Sequence, residues 1–147
     1  MFKSFIVNTH GPDPEGIRIA LKAAALLCEQ EKCSALLCVP LKKTAEDGVL
    51  NQVIPASEIK TLLNGGTLLL NGTCALRMES QKTLNHGHQG VVIALHVPLG
   101  MMDQIEKIAG LKAIIMVPWT EDEAATWKAK RHPAVLPNSV AGPKARA

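Results

Sequence analysis

Four cysteines and five histidines are the side chains of this chain best suited to nucleophilic, acid–base or metal chemistry. The spacing of the first three cysteines matches neither zinc nor redox motifs, which use two-residue gaps. We therefore expect most of the cysteines to be small buried hydrophobic residues, and we expect the side chains of the first three not to converge. The four cysteines are Cys28, Cys33, Cys38 and Cys74.

Cys74 is the strongest candidate for a catalytic residue. Gly72 and Thr73 precede it, and the chain is predicted to turn there into a short helix over residues 75–82. Free amides and the dipole at a helix N-terminus stabilise a thiolate, and Arg77, one turn later, would add positive potential. These features make Cys74 a candidate nucleophile or sulfur carrier. The alternative is a small residue packed under the turn.

The histidines give weaker signals. His10 follows the first predicted strand, where it could act as a base or hydrogen-bond donor, or could only satisfy loop backbone groups. His86 and His88 have the spacing of half a metal site, but a zinc site needs further ligands at set spacing. His96 stands alone in an apolar strand and is expected to be a hydrogen-bonded core residue. We predict neither a metal ion nor an organic cofactor.

Alternating strand and helix patterns must position these residues. Strands are predicted at residues 4–9, 34–40, 67–71, 91–97 and 112–117. The first helix is capped by Asp13 and begins at Pro14, and others are predicted at 57–63, 101–109 and 120–131. Residues 132–147 have little periodicity and are predicted to be an extended or disordered tail behind a single domain over residues 1–131.

Strands joined by helical crossovers lie parallel, with right-handed connections and helices on both faces. The sequence therefore predicts an α/β fold, a three-layer α/β/α sandwich with a mainly parallel sheet of about five strands. Ligand sites in such sheets lie at the carboxyl ends of the strands, near a topological switch point. The residues expected at that edge are His10, Asp13, Asn71, Gly72, Thr73, Cys74, Pro98 and Trp119.

Length and composition exclude several classes of protein. The chain has 147 residues, 47% of them hydrophobic, which suits one domain with a sizeable core. No apolar run reaches the ~18 residues of a membrane span, and the start turns polar too soon for a signal peptide, so we expect a cytoplasmic protein. A net charge of only +3, no Tyr and two Trp argue against nucleic-acid binding.

Two stretches of the chain resemble the DsrE-like family of small sulfur-relay and related proteins. The first, FIVNTHGPDPE at residues 5–15, runs into the Ala/Leu-rich segment at 20–24. Family members likewise open with a strand, a Gly-Pro-acidic turn and a helix. The second, IKTLLNGGTLLLNGTC at residues 59–74, matches a helix, a glycine, a strand and a cysteine-bearing loop. The resemblance covers residues 4–80, and the closing strand–helix–strand fits in outline only.

The resemblance implies a five-stranded α/β/α fold, a homo-oligomer and, in active members, a cysteine that carries sulfur as a persulfide. In many members that cysteine ends the third strand, sometimes with a second at C-x-x-C spacing. This chain has Asn71 at the first of these positions and Cys74 at the second. Since asparagine cannot carry sulfur, either Cys74 has taken the role or the chain is a non-catalytic relative.

Three functional hypotheses follow. In the first, Cys74 accepts sulfane sulfur from a donor protein and passes it to an acceptor. In the second, the chain is a non-catalytic oligomeric binding protein of the same fold. In the third, it binds a phosphate or nucleotide at the helix N-termini after His10 and Gly72. The predicted binding residues are His10, Asn71, Gly72, Thr73 and Arg77.

Overall fold

A computed structural model describes residues 2–42, 48–84 and 87–137, with residues 87–89 described by their backbone alone. No helix in these ranges is long and apolar enough to cross a membrane. The elements, in chain order, are β1 (Lys3–Val7), α1 (Pro14–Glu31), β2 (Ser34–Val39), a 3-10 turn (Val49–Gln52), α2 (Ala56–Leu63), β3 (Leu68–Leu70), β4 (Cys74–Ser80), β5 (Gly87–Leu95), α3 (Leu99–Glu106), β6 (Ala109–Val117), α4 (Glu121–Arg131) and β7 (Ala134–Leu136).

The strands form one seven-stranded sheet in the order β3-β4-β2-β5-β6-β1-β7. All neighbours are parallel except β3 and β4, which form an antiparallel hairpin. The predicted three-layer α/β/α sandwich is confirmed, with two strands more than expected. One is β4, which was predicted as a helix. The other is β7, which pairs with β1 and lies in the segment predicted as a tail.

Two hydrophobic cores lie on opposite faces of the sheet. On β2, Leu37 joins the core under α1 and α2, whereas its neighbour Leu36 joins the core under α3 and α4. The alternation follows from the two-residue period of a strand. Because both faces are covered, the central strands are apolar on both sides, which explains their continuous hydrophobic runs.

Helix α1 connects β1 to β2, two strands that are separated in the sheet by β6 and β5. Asp13 caps it: Oδ1 accepts the Glu15 N–H at 3.1 Å, and Oδ2 accepts the Thr9 hydroxyl at 2.7 Å. The helix ends at Lys32, whose φ of 53° is left-handed. The next N–H, of Cys33, donates to the Cys28 carbonyl at 3.1 Å. This bond closes a Schellman motif, which fixes the direction in which the chain enters β2.

The predicted helix over residues 75–82 is wrong, because a tight turn reverses the chain just before it. Asn71 and Gly72 have φ of 52° and 71°. The Thr73 N–H donates to the Leu70 carbonyl at 3.1 Å. Two left-handed residues closed by this bond define a type I′ hairpin turn, whose twist matches that of the paired strands. Asn-Gly between two apolar runs is the strongest short-range hairpin signal, and the helix prediction overlooked it.

Burial along β4 confirms that it is a strand. Cys74, Leu76 and Met78 are buried on one face, and Arg77 between them is exposed. A period of two residues belongs to a strand, whereas a helix would bury every third or fourth residue. Arg77 therefore lies on the opposite face from Cys74.

Helices α3 and α4 are joined through one carboxylate. Glu106 Oε2 accepts the Trp127 indole N–H at 2.8 Å and the Arg131 Nε–H at 2.9 Å, and Oε1 accepts from Lys130 Nζ at 3.3 Å. Only 6% of the Glu106 side chain is exposed. Burial raises the pKa of Glu106, but hydrogen bonds from Arg131, Trp127 and Lys130 outweigh it and hold the pKa below its usual value.

Substituting Gly72 tests the hairpin turn. Gly72→Ala should lower the free energy of unfolding by about 1 kcal/mol, because a Cβ disfavours the left-handed conformation. Gly100→Ala is the matched control, since both sites have open space around a new Cβ but Gly100 has no left-handed φ. That control should be neutral or stabilising. Urea unfolding measures both, and equal effects would contradict the type I′ turn.

Acid unfolding tests the Glu106 ion pairs. The pKa of Glu106 is lower in the folded chain, so its contribution is present above the unfolded value of about 4.3 and is lost as pH falls through the folded value. Glu106→Gln should cost about 2 kcal/mol at pH 7 and flatten the acid limb of the stability curve. Asp103→Asn, which removes an exposed partner of Lys130, should cost less than about 1 kcal/mol.

Candidate functional site

Six parallel strands end at one edge of the sheet, and from four of them the chain continues into helices on opposite faces. From β1 and β2 it continues to α1 and α2 on one face; from β5 and β6 it continues to α3 and α4 on the other. The connections therefore diverge between β2 and β5 and again between β6 and β1. Both are topological switch points, where open α/β sheets form their ligand crevices.

A cavity of about 340 Å³, here called the carboxyl-edge cavity, lies at this edge. Its walls come from the last residues of β2 and β5, from residues in the segments that follow β1, β2, β5 and β6, and from the 3-10 turn with the glycine before it. Most of them are apolar, as is usual for small-molecule sites. The lining residues are Pro12, Val39, Pro40, Gly48, Val49, Leu50, Leu95, His96 and Trp119.

His96 is the strained residue of this edge. Its φ of 54° is left-handed, and its N–H donates to the Val117 carbonyl at 2.9 Å, which ties the end of β5 to the end of β6. The imidazole meets the Trp119 ring edge-on, with centroids 4.8 Å apart. Non-glycine residues in this conformation are uncommon and cluster at functional sites.

The His96 side chain also keeps an unsatisfied polar atom. Nε2 is buried and has no hydrogen-bond partner within the described ranges. Burial lowers the pKa of His96, and a hydrogen bond with the Gly11 backbone only partly opposes that shift. The ring is therefore neutral at pH 7. A neutral ring has one N–H and one acceptor nitrogen, and the tautomer whose N–H faces the Gly11 backbone carries its acceptor on Nε2. Sequence reasoning expected a hydrogen-bonded core histidine and missed this atom.

Carboxylates lie in the first turns of the two helices that begin at this edge, and one of them, Glu15, is paired with Arg18 at 3.1 Å. The first turn of α1 holds Glu15 beside the Asp13 cap, and the first turn of α4 holds three acidic residues, Glu121 among them. His10 lies at this edge as predicted, exposed, with Nδ1 3.7 Å from Glu121 Oε1. Because these carboxylates already occupy the positive ends of both helices, the edge disfavours a phosphate.

The hairpin residues lie at the other edge of the sheet. Asn71, Gly72 and Thr73 form the turn between β3 and β4, and β4, parallel to β2, begins at Cys74. Their expected position at the carboxyl edge is therefore wrong, and they do not meet His10. The physical reason is the hairpin, which reverses the chain before Cys74. The predicted anion site after Gly72 is also absent, because a strand follows that glycine.

Cys74 is not at a helix N-terminus. It begins β4 and is only 2% exposed. Burial raises its pKa, and a hydrogen bond with the Cys28 thiol only partly opposes that shift. The predicted stabilised thiolate is therefore wrong. Arg77 adds no positive potential there, because it lies on the other face, where its Nη1 is 3.7 Å from Glu79 Oε2.

Cys28, Cys33 and Cys74 converge and form what we call the thiol cluster; the expectation that the first three cysteines stay apart is therefore wrong for Cys28 and Cys33 and holds for Cys38. Cys28 interacts with both other thiols. The Schellman motif brings Cys33 back to Cys28. The register of β2 and β4 pairs Ala35 with Leu76, which places Cys33 level with Cys74 two residues earlier. Cys38 belongs to the core on the opposite face.

The thiol cluster is not a metal site: among the described residues, no group of three or more His, Cys, Asp or Glu side chains is placed to hold a metal ion. Of the two histidines with half-site spacing, His86 lies outside the described residues and His88 is described by its backbone alone.

Comparison of the chain with protein-family models, curated proteins and solved structures finds no match. The resemblance to the DsrE-like family therefore stays a prediction.

Alkylation rates test the surroundings of the cysteines. Cys33 is half-buried, whereas Cys28, Cys38 and Cys74 are fully buried. With iodoacetamide under native conditions, peptide mass spectrometry should show Cys33 labelled first and Cys74 at least tenfold more slowly, because burial opposes both access and ionisation of a thiol. Equal rates in urea serve as the control. Preferential labelling of Cys74 in the native chain would contradict its buried position.

Proposed function

We propose that this chain is a small-molecule-binding protein whose site is the carboxyl-edge cavity. The observation that carries the proposal is the combination of a cavity at a topological switch point with a buried, unpartnered acceptor on one of its lining residues, His96. Buried polar atoms in native proteins almost always have partners, so an orphan beside a cavity favours a ligand that supplies one.

The chemistry of the walls defines the ligand class. Apolar contacts from Leu50, Leu95 and Trp119 favour a compact apolar or aromatic body. The neutral imidazole of His96 favours an N–H or O–H donor on that body. The carboxylates around the edge favour an uncharged molecule over an anion. These features favour an uncharged small molecule over the phosphate or nucleotide of the third hypothesis.

Probe molecules can test this ligand class. Indole offers an N–H donor, benzothiophene has nearly the same shape without the donor, and benzoate is an anion. We expect indole to shift the side-chain N–H signal of Trp119 in a ¹H–¹⁵N spectrum, benzothiophene to bind more weakly, and benzoate not to bind. Trp127 is the internal control, because it is buried on the other face and bonded to Glu106.

Variants of the cavity make the test specific. Trp119→Ala should weaken indole binding about tenfold, with little loss of stability because Trp119 is 47% exposed. His96→Asn, which tolerates the left-handed backbone, should abolish the preference for indole over benzothiophene. Leu69→Ala, exposed on the edge strand β3, should leave binding unchanged. The proposal would be refuted if added indole did not shift the Trp119 signal, or if it shifted the Trp119 and Trp127 signals equally.

Sulfane-sulfur transfer is a second proposal, supported by the resemblance and by the gathering of Cys74 with two other thiols. Sulfur acceptance needs a thiolate, and burial of Cys74 opposes it, so this support is weaker. Treatment with a sulfur donor should then add the mass of one sulfur atom to Cys74. Unmodified Cys74 beside a modified Cys33 would argue against the transfer role.

Assembly and location belong with this second proposal. The DsrE-like resemblance favours a cytoplasmic homo-oligomer that meets a sulfur donor or acceptor protein. Leu69 is 64% exposed on β3, at one open edge of the sheet, which is a surface that a second copy could cover.

A further inference from the structure

The thiol cluster lies at the opposite edge of the sheet from the carboxyl-edge cavity. Binding of a small molecule in that cavity makes no use of the thiols. Within the cluster, Cys28 and Cys33 are held together by the helix end: the Cys33 N–H donates to the Cys28 carbonyl at 3.1 Å. In a Schellman motif the side chains at these two positions commonly touch. Both pack against the same hydrophobic core, under α1.

The two thiols differ in access. Cys28 is 2% exposed, whereas Cys33 is half-buried at the surface of the loop that enters β2. A reagent in solvent therefore reaches Cys33 first. Cys28 is the buried neighbour whose thiol can then attack the adduct on Cys33. Cys74 also contacts Cys28, but it is as buried as Cys28, at 2% exposed, so a reagent in solvent does not reach it first.

We propose that Cys28 and Cys33 form a thiol-modification site, which a low-molecular-weight disulfide of the glutathione class oxidises to an internal disulfide. Cys33 is the thiol attacked from solvent, and Cys28 is the thiol that resolves the adduct. Cys74 stays reduced.

The reaction balances in two exchange steps. The Cys33 thiolate attacks one sulfur of the small disulfide, the S–S bond breaks, and one small thiol leaves. The Cys28 thiol loses its proton to solvent and attacks Cys33 Sγ, which expels the second small thiol. Two protein thiols are oxidised and one small disulfide is reduced to two thiols. Because burial raises the pKa of Cys28, the second step should accelerate with pH.

The test treats the whole chain with glutathione disulfide under native conditions, blocks the remaining thiols with N-ethylmaleimide in urea, and then digests the chain with trypsin. Trypsin cleaves after Lys32 and so separates residues 23–32, which contain Cys28, from residues 33–42, which contain Cys33 and Cys38. We expect a linked pair of these peptides joined through Cys28 and Cys33, with the maleimide on Cys38 and Cys74. Fragmentation distinguishes Cys33 from Cys38.

Variants separate the two steps. Cys28→Ala should trap a stable glutathionyl group on Cys33, and Cys33→Ser should lose all oxidation of Cys28. Cys38→Ser, which changes the core on the opposite face, should form the Cys28–Cys33 link as the original sequence does. If Cys28→Ala does not fold, Cys33→Ser still carries the test, because its side chain is half-buried at the surface. Three results with the original sequence would overturn the proposal: a stable glutathionyl group on Cys33, a link from Cys28 to Cys74, or no loss of free thiols.

Discussion

Burial of the parallel sheet on both faces is the constraint on which the rest of the structure depends. It commits the side chains of residues 35–39 in β2, 91–95 in β5 and 113–117 in β6 to two apolar cores. Chemistry is therefore confined to the strand ends. The two ends differ: the carboxyl edge combines an apolar cavity, a strained histidine and carboxylates, whereas the amino edge gathers three thiols.

Much of the fold could be predicted because its signals are local. The Asp13 cap with Pro14 marks the start of α1, and the continuous apolar run of β2 indicates a strand covered on both sides. β4 was missed because the turn before it was interpreted as a helix start. One misassigned turn moves Cys74 from the carboxyl edge to the opposite edge and from a helix end into a core. The left-handed conformation of Asn71 and Gly72 thus decides the environment of the Cys74 thiol, two residues after the turn.

The candidate sites could be predicted less well, since both depend on contacts between distant segments. The cavity joins Pro12, Leu50, His96 and Trp119, which no spacing rule connects. The thiol cluster depends on the register between β2 and β4, which places Cys33 beside Cys74. A shift of one residue would turn Cys74 away from the core under α1. Composition and periodicity fix which strands are buried but not their register or order.

The energetics of His96 explain why binding is assigned to the carboxyl edge. A left-handed non-glycine residue costs about 1 kcal/mol, and a buried acceptor without a partner costs about 1–3 kcal/mol more. Both costs fall on one residue, His96, which lines the cavity. The thiols of the other edge bear no such cost, since protonated cysteines pack as small hydrophobic residues. A ligand donor that reaches Nε2 would recover the larger of the two costs, whereas an anion would meet the carboxylates of α1 and α4. His96 thus favours occupancy, while the carboxylates of α1 and α4 disfavour an anion.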